Sequence, residues 1–416
     1  MNIRLHPLPE ISFNCPICQI GLEVQGWYMP GMYTLATLRC SRCARSYYGE
    51  LASGHALNAP LLLDCQTGNI CGAVDRGNFR VQWLTASYAT RRRDPLGFHE
   101  ERFKAIKRPL LLNCLDYLYG HSVLKLLNAQ RHIDHQPDYD LIVLVPSWLR
   151  WMVPDGCAAI WTIDMPLREG QQWNDWLAEE IQRRLSGYAE AWLSPAYSHP
   201  APSSFDIARF TRVQPFAMEQ WDASVDRPVV TYIWRPDRLW YSRAYLPLPW
   251  FLEKLRRSLP RRSAAFYLRQ QNRSIVALAE RLRIELPGLQ FAVAGVGRPG
   301  GFPDWIQDMR TALPDVEQEI AWCRQYARSH CVVGVHGSGM LLASAHARLT
   351  VDLMPIDRWG NSLQDILVQE DGVRTALLRY HCVPVSVSPG ALQHIVMQLI
   401  RAHACQAKNM FDGSKR

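Results

Sequence analysis

No stretch of this sequence approaches the roughly 18–20 uninterrupted apolar residues that a membrane-crossing helix needs. The opening residues, MNIRLHPLPEISFNCP, also lack the apolar core of a signal peptide. The expectation is therefore a cytoplasmic protein, with peripheral attachment at the inner face of the membrane as the variant and no transmembrane segment. Lysine is scarce: only six of the 46 basic residues are lysine, and 40 are arginine. No internal repeat is visible. The net charge of +8 is spread along the chain rather than gathered into a block, so nucleic acid is not an expected partner. The twelve cysteines, without an export signal, do not read as a disulfide framework.

The arginine excess has two readings. A guanidinium grips phosphate through a planar two-pronged fork, which suits a phosphorylated ligand. A genome that favours arginine codons would give the same count. At 416 residues and 48% hydrophobic content the chain is too long for one core. Strands alternate with amphipathic helices from Pro109 onward, which predicts parallel sheets covered on both faces. The expected fold is α/β, with two Rossmann-like lobes facing a cleft and a small β-rich module in front. Residues 1–88 read as that module and 89–108, which includes Arg91-Arg92-Arg93, as a polar linker. Residues 109–226 read as the first Rossmann-like lobe, and 227–416 as the second, with a closing helix.

Four cysteines form a pattern. Cys15 and Cys18 (CPIC) and Cys40 and Cys43 (CSRC) enclose a 21-residue insert rich in Tyr, Trp, Thr and Val. Each pair puts two thiolates on a tight turn, and two turns complete a tetrahedral sulfur shell. This spacing predicts a zinc ribbon. Such a shell leaves no open position, so the zinc is expected to be structural, and no catalytic metal is expected. Cys65 and Cys71 are optional further ligands.

The segment SHCVVGVHGSGMLLASAHARLTVDLMP places His336, Gly337, Ser338 and Gly339 between a buried strand and a helix. Glycines there let a ligand approach closely. Helix-start amides suit an anion, and Ser338 reads as a helix cap. Together with Glu317 and Gln318, this stretch resembles the C-terminal signature of a GT-B-type glycosyltransferase group. That group contains the plant xylan xylosyl- and arabinosyltransferases and the EGF-domain GlcNAc-transferase. The resemblance covers about forty residues. It implies an inverting, metal-independent transfer from a nucleotide-sugar donor to a glycan or protein acceptor.

Arginine side chains must then meet the charge of a leaving diphosphate. Arg235 and Arg238, in YIWRPDRLW, stand at a strand end of the same lobe, followed by Arg243. Arg298, after AVAGVG, is a third donor-binding candidate. An ion pair of Arg235 with Asp237 is the bland alternative. For the general base, CLDYLYGHSV offers His121 and Asp116, with His336 as a further catalytic candidate and Asp164 behind them. Asp352 either reaches a ribose or is buried and paired. Trp148, Trp151 and Trp234 are sugar-stacking candidates. Two other readings remain. One is an inactive nucleotide- or glycan-binding module whose zinc ribbon docks a partner protein or nucleic acid. The other is a related fold with epimerase or pyruvyl-transfer chemistry.

Overall fold

The computed structural model of the chain describes residues 1–72, 78–217, 226–240, 261–368 and 373–411. Arg243 and the helix expected over 249–259 lie outside the described residues. The chain divides into two compact units, Met1–Phe205 and Asp206–Arg416.

The first unit holds ten strands among its described residues: β1 (Ile3–His6), β2 (Glu23–Tyr28), β3 (Leu35–Arg39), β4 (Ser46–Glu50), β5 (Leu62–Asp64), β6 (Phe98–Arg102), β7 (Pro109–Asn113), β8 (Asp140–Pro146), β9 (Ala159–Ile163) and β10 (Ala191–Leu193). β2 to β5 make an antiparallel meander in sequence order. The other six form a sheet in the order β1-β10-β7-β8-β9-β6. Its inner four strands are parallel, and β1 and β6 close the edges antiparallel. β7, β8 and β9 are apolar at nearly every position because both faces of a parallel sheet are covered. Helix Asp175–Leu185 covers one face through Leu177, Ile181 and Leu185. The Asn174 side chain caps it by accepting from Leu177 N–H.

Two expected boundaries shift. The stretch 89–108 is not a free linker. β6 pairs along β9, Arg92 exchanges backbone hydrogen bonds with Trp173 and Asp175, and Arg93 pairs with Glu179. The N-terminal module is not a separate bead either. β1 belongs to the α/β sheet, and Leu22, Trp27, Leu38 and Tyr47 share one core with Ile142, Trp161 and Leu193. Unequal alternation in FHEER hid β6, since an edge strand exposes most of its side chains.

The second unit holds β11 (Val229–Trp234), β12 (Gln290–Val296), β13 (Ile306–Thr311), β14 (Cys331–Val335), β15 (Thr350–Met354) and β16 (Tyr380–Pro384). All pairings are parallel, in the order β13-β12-β11-β14-β15-β16. Counted within the unit this is 3-2-1-4-5-6, the Rossmann order. Residues 207–216 belong to this unit rather than to the lobe expected to end at 226. Thr211 Oγ1 bonds His346 Nε2 at 2.9 Å, and the Phe216 ring packs on His330. β13, at the sheet edge, carries no clear alternation in its own sequence.

Candidate functional site

In an open α/β sheet the ligand crevice lies beyond the strand carboxyl ends, where the strand order reverses. In the second unit that point falls between β11 and β14. The loops leaving these strands carry Arg235 to Arg238 and His336 to Gly339, so the topology brings the two expected groups together. The Arg235 guanidinium reaches the Ser338 hydroxyl at 3.2 Å. A Cβ on Gly339 would stand 3.2 Å from Arg235 Cδ, and one on Gly337 would stand 3.4 Å from Arg238 Nε. Gly337 also has φ +138°, where other residues are strained. The two glycines are thus the space that two arginines occupy.

Several expectations change here. Ser338 does not cap the helix. Gly339 is the cap residue of Met340–His346, and the Ser338 hydroxyl serves Arg235. The Gly337 amide is not free for an anion, because it donates to Asp365 Oδ2 at 2.8 Å. Arg235 forms a two-pronged pair with Asp237, both bonds 2.9 Å, so much of its charge is already met. Arg298 is exposed beyond β12, where its positive charge helps lower the pKa of Asp308. No described bond brings it to the glycine loop.

Behind the loop, His336 Nδ1 lies 2.8 Å from Asp352 Oδ2 and 3.2 Å from Asp365 Oδ2. Tyr380 donates its hydroxyl to the same Asp352 oxygen at 2.8 Å. Burial disfavours a charge on His336, yet the bond and charge of Asp352 and the charge of Asp365 hold its pKa above the ordinary value. Burial pushes Asp365 up, and the nearby Asp352 adds to this. The three side chains lie within metal-ligand reach of one another. Their Oδ2 atoms accept from Tyr380 O–H and Gly337 N–H, while Asp352 Oδ1 is buried without a hydrogen-bond partner among the described residues. Asp352 is therefore buried and paired, as one of its two readings had it.

The first unit repeats the placement. Its order reverses between β7 and β10, and the loop after β7 carries Asp116. Asp116 has a fully buried side chain, while His121, on helix Tyr119–Leu126, is about a quarter exposed. His121 Nδ1 sits 3.1 Å from Asp116 Oδ1, leaving Nε2 as the nitrogen open to a substrate. Lys125, one helical turn on, places Nζ 2.7 Å from Asp116 Oδ2. Burial opposes the Asp116 charge, but Lys125 and the two neighbouring histidines hold its carboxyl well below the usual range. A buried, ion-paired carboxylate does not meet a substrate. Asp116 can orient His121 but not replace it. His55 also joins this group, with Nε2 3.1 Å from His121 Nδ1. Asp164 stands elsewhere, exposed and bonded to His99 at 3.0 Å.

The Cys15, Cys18, Cys40 and Cys43 sulfurs come within reach of one another; among the described residues neither Cys65 nor Cys71 joins them. Each turn repeats the same backbone. Cys18 N–H points at Cys15 Sγ and Cys43 N–H at Cys40 Sγ, both at 3.5 Å, and the following Gln19 and Ala44 are left-handed. Burial opposes a thiolate at Cys15, but the Cys18 amide and Tyr47 hydroxyl bring its pKa down to about 6. This donor set could hold a metal ion such as zinc.

Of the stacking candidates, Trp234 is fully buried and donates to Asn272 Oδ1 at 2.8 Å, so it is core. Half-buried Trp148 stacks on Tyr119. Sequence reading missed His55, Lys125, Asp365 and Tyr380. Only Lys125 had a local signal, a lone lysine in the apolar SVLKLL run at i+4 from His121. The others arrive from distant segments.

No family model matches the sequence, and no curated protein matches it. Among solved structures, ADP-heptose lps heptosyltransferase II from E. coli aligns with 72% of this chain and 100% of its own. The identity is 10% and the TM-score 0.37. At that level of similarity nothing about activity transfers. No helix among the described residues is long and apolar enough to cross a membrane.

Proposed function

We propose that the protein is a glycosyltransferase. It takes a sugar from a nucleoside-diphosphate sugar held at the second unit's switch point and inverts it onto a glycan or protein hydroxyl. The observation that carries this reading is the pairing of Arg238 and Arg235 with Gly337 and Gly339, where the strand order reverses. The resemblance of residues 317–355 to the GT-B group supports it.

The side chains divide the work. Arg238 supplies the guanidinium for the diphosphate, and Arg235, tied to Asp237, positions Ser338. His336, biased towards the cation by its two aspartates, lies behind the loop that would meet the charge building on the leaving group. A cation fixed in a dry site stabilises such charge without reorganising. On the first unit, His121 Nε2 is the base assigned to the proton of the acceptor hydroxyl. Asp116 holds the imidazole through Nδ1, as an orienting carboxylate does in hydrolase triads. The four cysteines hold a structural zinc that stabilises the first unit.

A thermal-shift series with the common nucleoside diphosphates and their sugars tests the donor site. A ligand at a hundred times its Kd adds about 2.7 kcal/mol. One diphosphate is expected to raise Tm in the wild type and far less in Arg238→Ala. No response to any of them would end the reading.

A further inference from the structure

His55 lies within the N-terminal β-rich stretch, yet it completes the site on the first α/β sheet. It lies on the turn Gly54–Ala56, which is pinned to the loop after β10. Ser53 Oγ donates to Ser194 O at 2.9 Å, and Gly54 N–H to Pro195 O at 2.8 Å. Gly54 is left-handed at φ +58°, and a Cβ there would stand 3.1 Å from Lys125 Cε. The His55 ring meets the His121 ring edge-on, centroids 4.6 Å apart. Its Nε2 lies 3.1 Å from His121 Nδ1 and 3.4 Å from Asp116 Oδ2.

We infer that His55 and His121 act as one proton-accepting pair, with His55 as the positioning residue that shares the proton His121 takes up. The inference rests on His121 being the base of the proposed transfer. In the resting pair His121 carries its hydrogen on Nδ1, between Asp116 Oδ1 and His55 Nε2. When His121 Nε2 gains the acceptor proton, the hydrogen between His121 Nδ1 and His55 Nε2 is shared by the two rings, and the single positive charge is spread over the pair beside Asp116 rather than left on His55, where burial opposes it. No oxidant or second reactant is needed.

The surroundings favour one proton per pair. Lys125 already neutralises Asp116, so the carboxylate does not call for two imidazolium ions. Among the described residues the other titratable groups nearby are His199, from the loop after β10, and Tyr33 and the Glu50–Arg80 ion pair, which line the same pocket as His55 and Lys125. Phe79 packs edge-on to the His55 ring. Burial, with help from Lys125 and His121, holds the His55 pKa below the ordinary value. His55, Asp116 and His121 also lie within metal-ligand reach. Lys125 Nζ, at 2.7 Å, already sits where a cation would meet the carboxylate.

The test needs no substrate. Long-range proton–nitrogen spectra of the full chain labelled at histidine nitrogen, with His55→Gln and His121→Gln for assignment, report tautomer and protonation against pH. The expected result is His121 as the Nδ1–H tautomer in the wild type. The two rings should share a single proton, the second entering only at a pH at least about one unit lower, a tenfold weaker affinity. In His55→Gln the His121 tautomer signal should change, because the shared hydrogen loses its second nitrogen. Two rings that each take a full proton independently in the wild type would overturn the inference, whatever the variants do. Loss of both signals with one equivalent of Zn2+ would overturn it too, by assigning a metal site. Coupling without any nucleotide response would instead leave the pair standing and remove the transferase reading.

Discussion

The carboxyl edges of the two sheets place the same pair of residue types at their switch points, an aspartate bound to histidine Nδ1, and give them opposite characters. On the first sheet one aspartate faces Lys125 as well as two histidines, so the carboxylate is neutralised before any imidazole is charged, and His55 is biased towards the neutral form. On the second sheet two aspartates converge on one histidine, and His336 is biased towards the cation. Counting fixed charges around the ring thus separates a proton acceptor from an anion partner. An Asp–His pair alone does not define a role.

The comparison can be broken in several ways. The largest expected effect is on the metal. If the cysteine group holds zinc, a strong chelator or Cys40→Ser should remove about one ion per chain by elemental analysis. It should also destabilise the first unit's transition, because the cysteine module shares its core with the first sheet. Retention of the metal in Cys40→Ser would contradict the assignment.

Next come the buried pairs. Asp116→Asn leaves Lys125 buried without its counter-charge and should cost about 3–5 kcal/mol in denaturant melts. The double change Asp116→Asn with Lys125→Met should recover much of that cost. Asp352→Asn should destabilise the second unit without such a rescue by a lysine change, since among the described residues His336 and Tyr380 rather than a lysine face it. Equal, additive losses in the first pair would show that the ion pair is not the neutralising device.

The pH dependence separates the histidines by sign. Burial pushes His330 and His346 down to about 4, so the unfolded chain binds protons there before the folded chain does. Their stabilisation is present above pH 6.5 and is lost as pH falls towards 4, on the order of 3 kcal/mol each. His336 works oppositely. Its raised pKa contributes stability that is complete below pH 6.5 and is lost as pH rises through the folded value. Urea melts from pH 4 to 8 on wild type and His336→Gln should show the opposing slopes, with the variant lacking the alkaline decline. The smallest effect is Gly339→Ala, whose φ of −67° is ordinary. It should leave stability within about 1 kcal/mol while weakening nucleotide binding by displacing Arg235. Unchanged binding would show that the close approach has no part in the site.

Much of the fold was legible. The parallel-sheet runs PLLLN, DLIVLVP and CVVGV, the amphipathic WNDWLAEEIQRRL and the paired Cys-x-x-Cys turns all depend on local pattern. The edge strands β6 and β13 were not, because an edge strand alternates weakly and is fixed by its neighbour. At the sites, loops flanking a switch point could be picked out as Arg235, Arg238, His121 and His336. Their electrostatic state could not. It is set by Asp365, Tyr380 and His55, which reach the sites across 28 to 66 residues of chain.

By itself the sequence determined where strands, helices and sulfur turns form, since these follow from the spacing of apolar residues, glycines and cysteines over short distances. Tertiary structure decided which unit each boundary segment joined, that Ser338 serves Arg235 rather than a helix end, and which histidine is biased towards the proton. Those outcomes depend on how many charges converge in a low-dielectric interior, and that number is fixed only when distant segments pack.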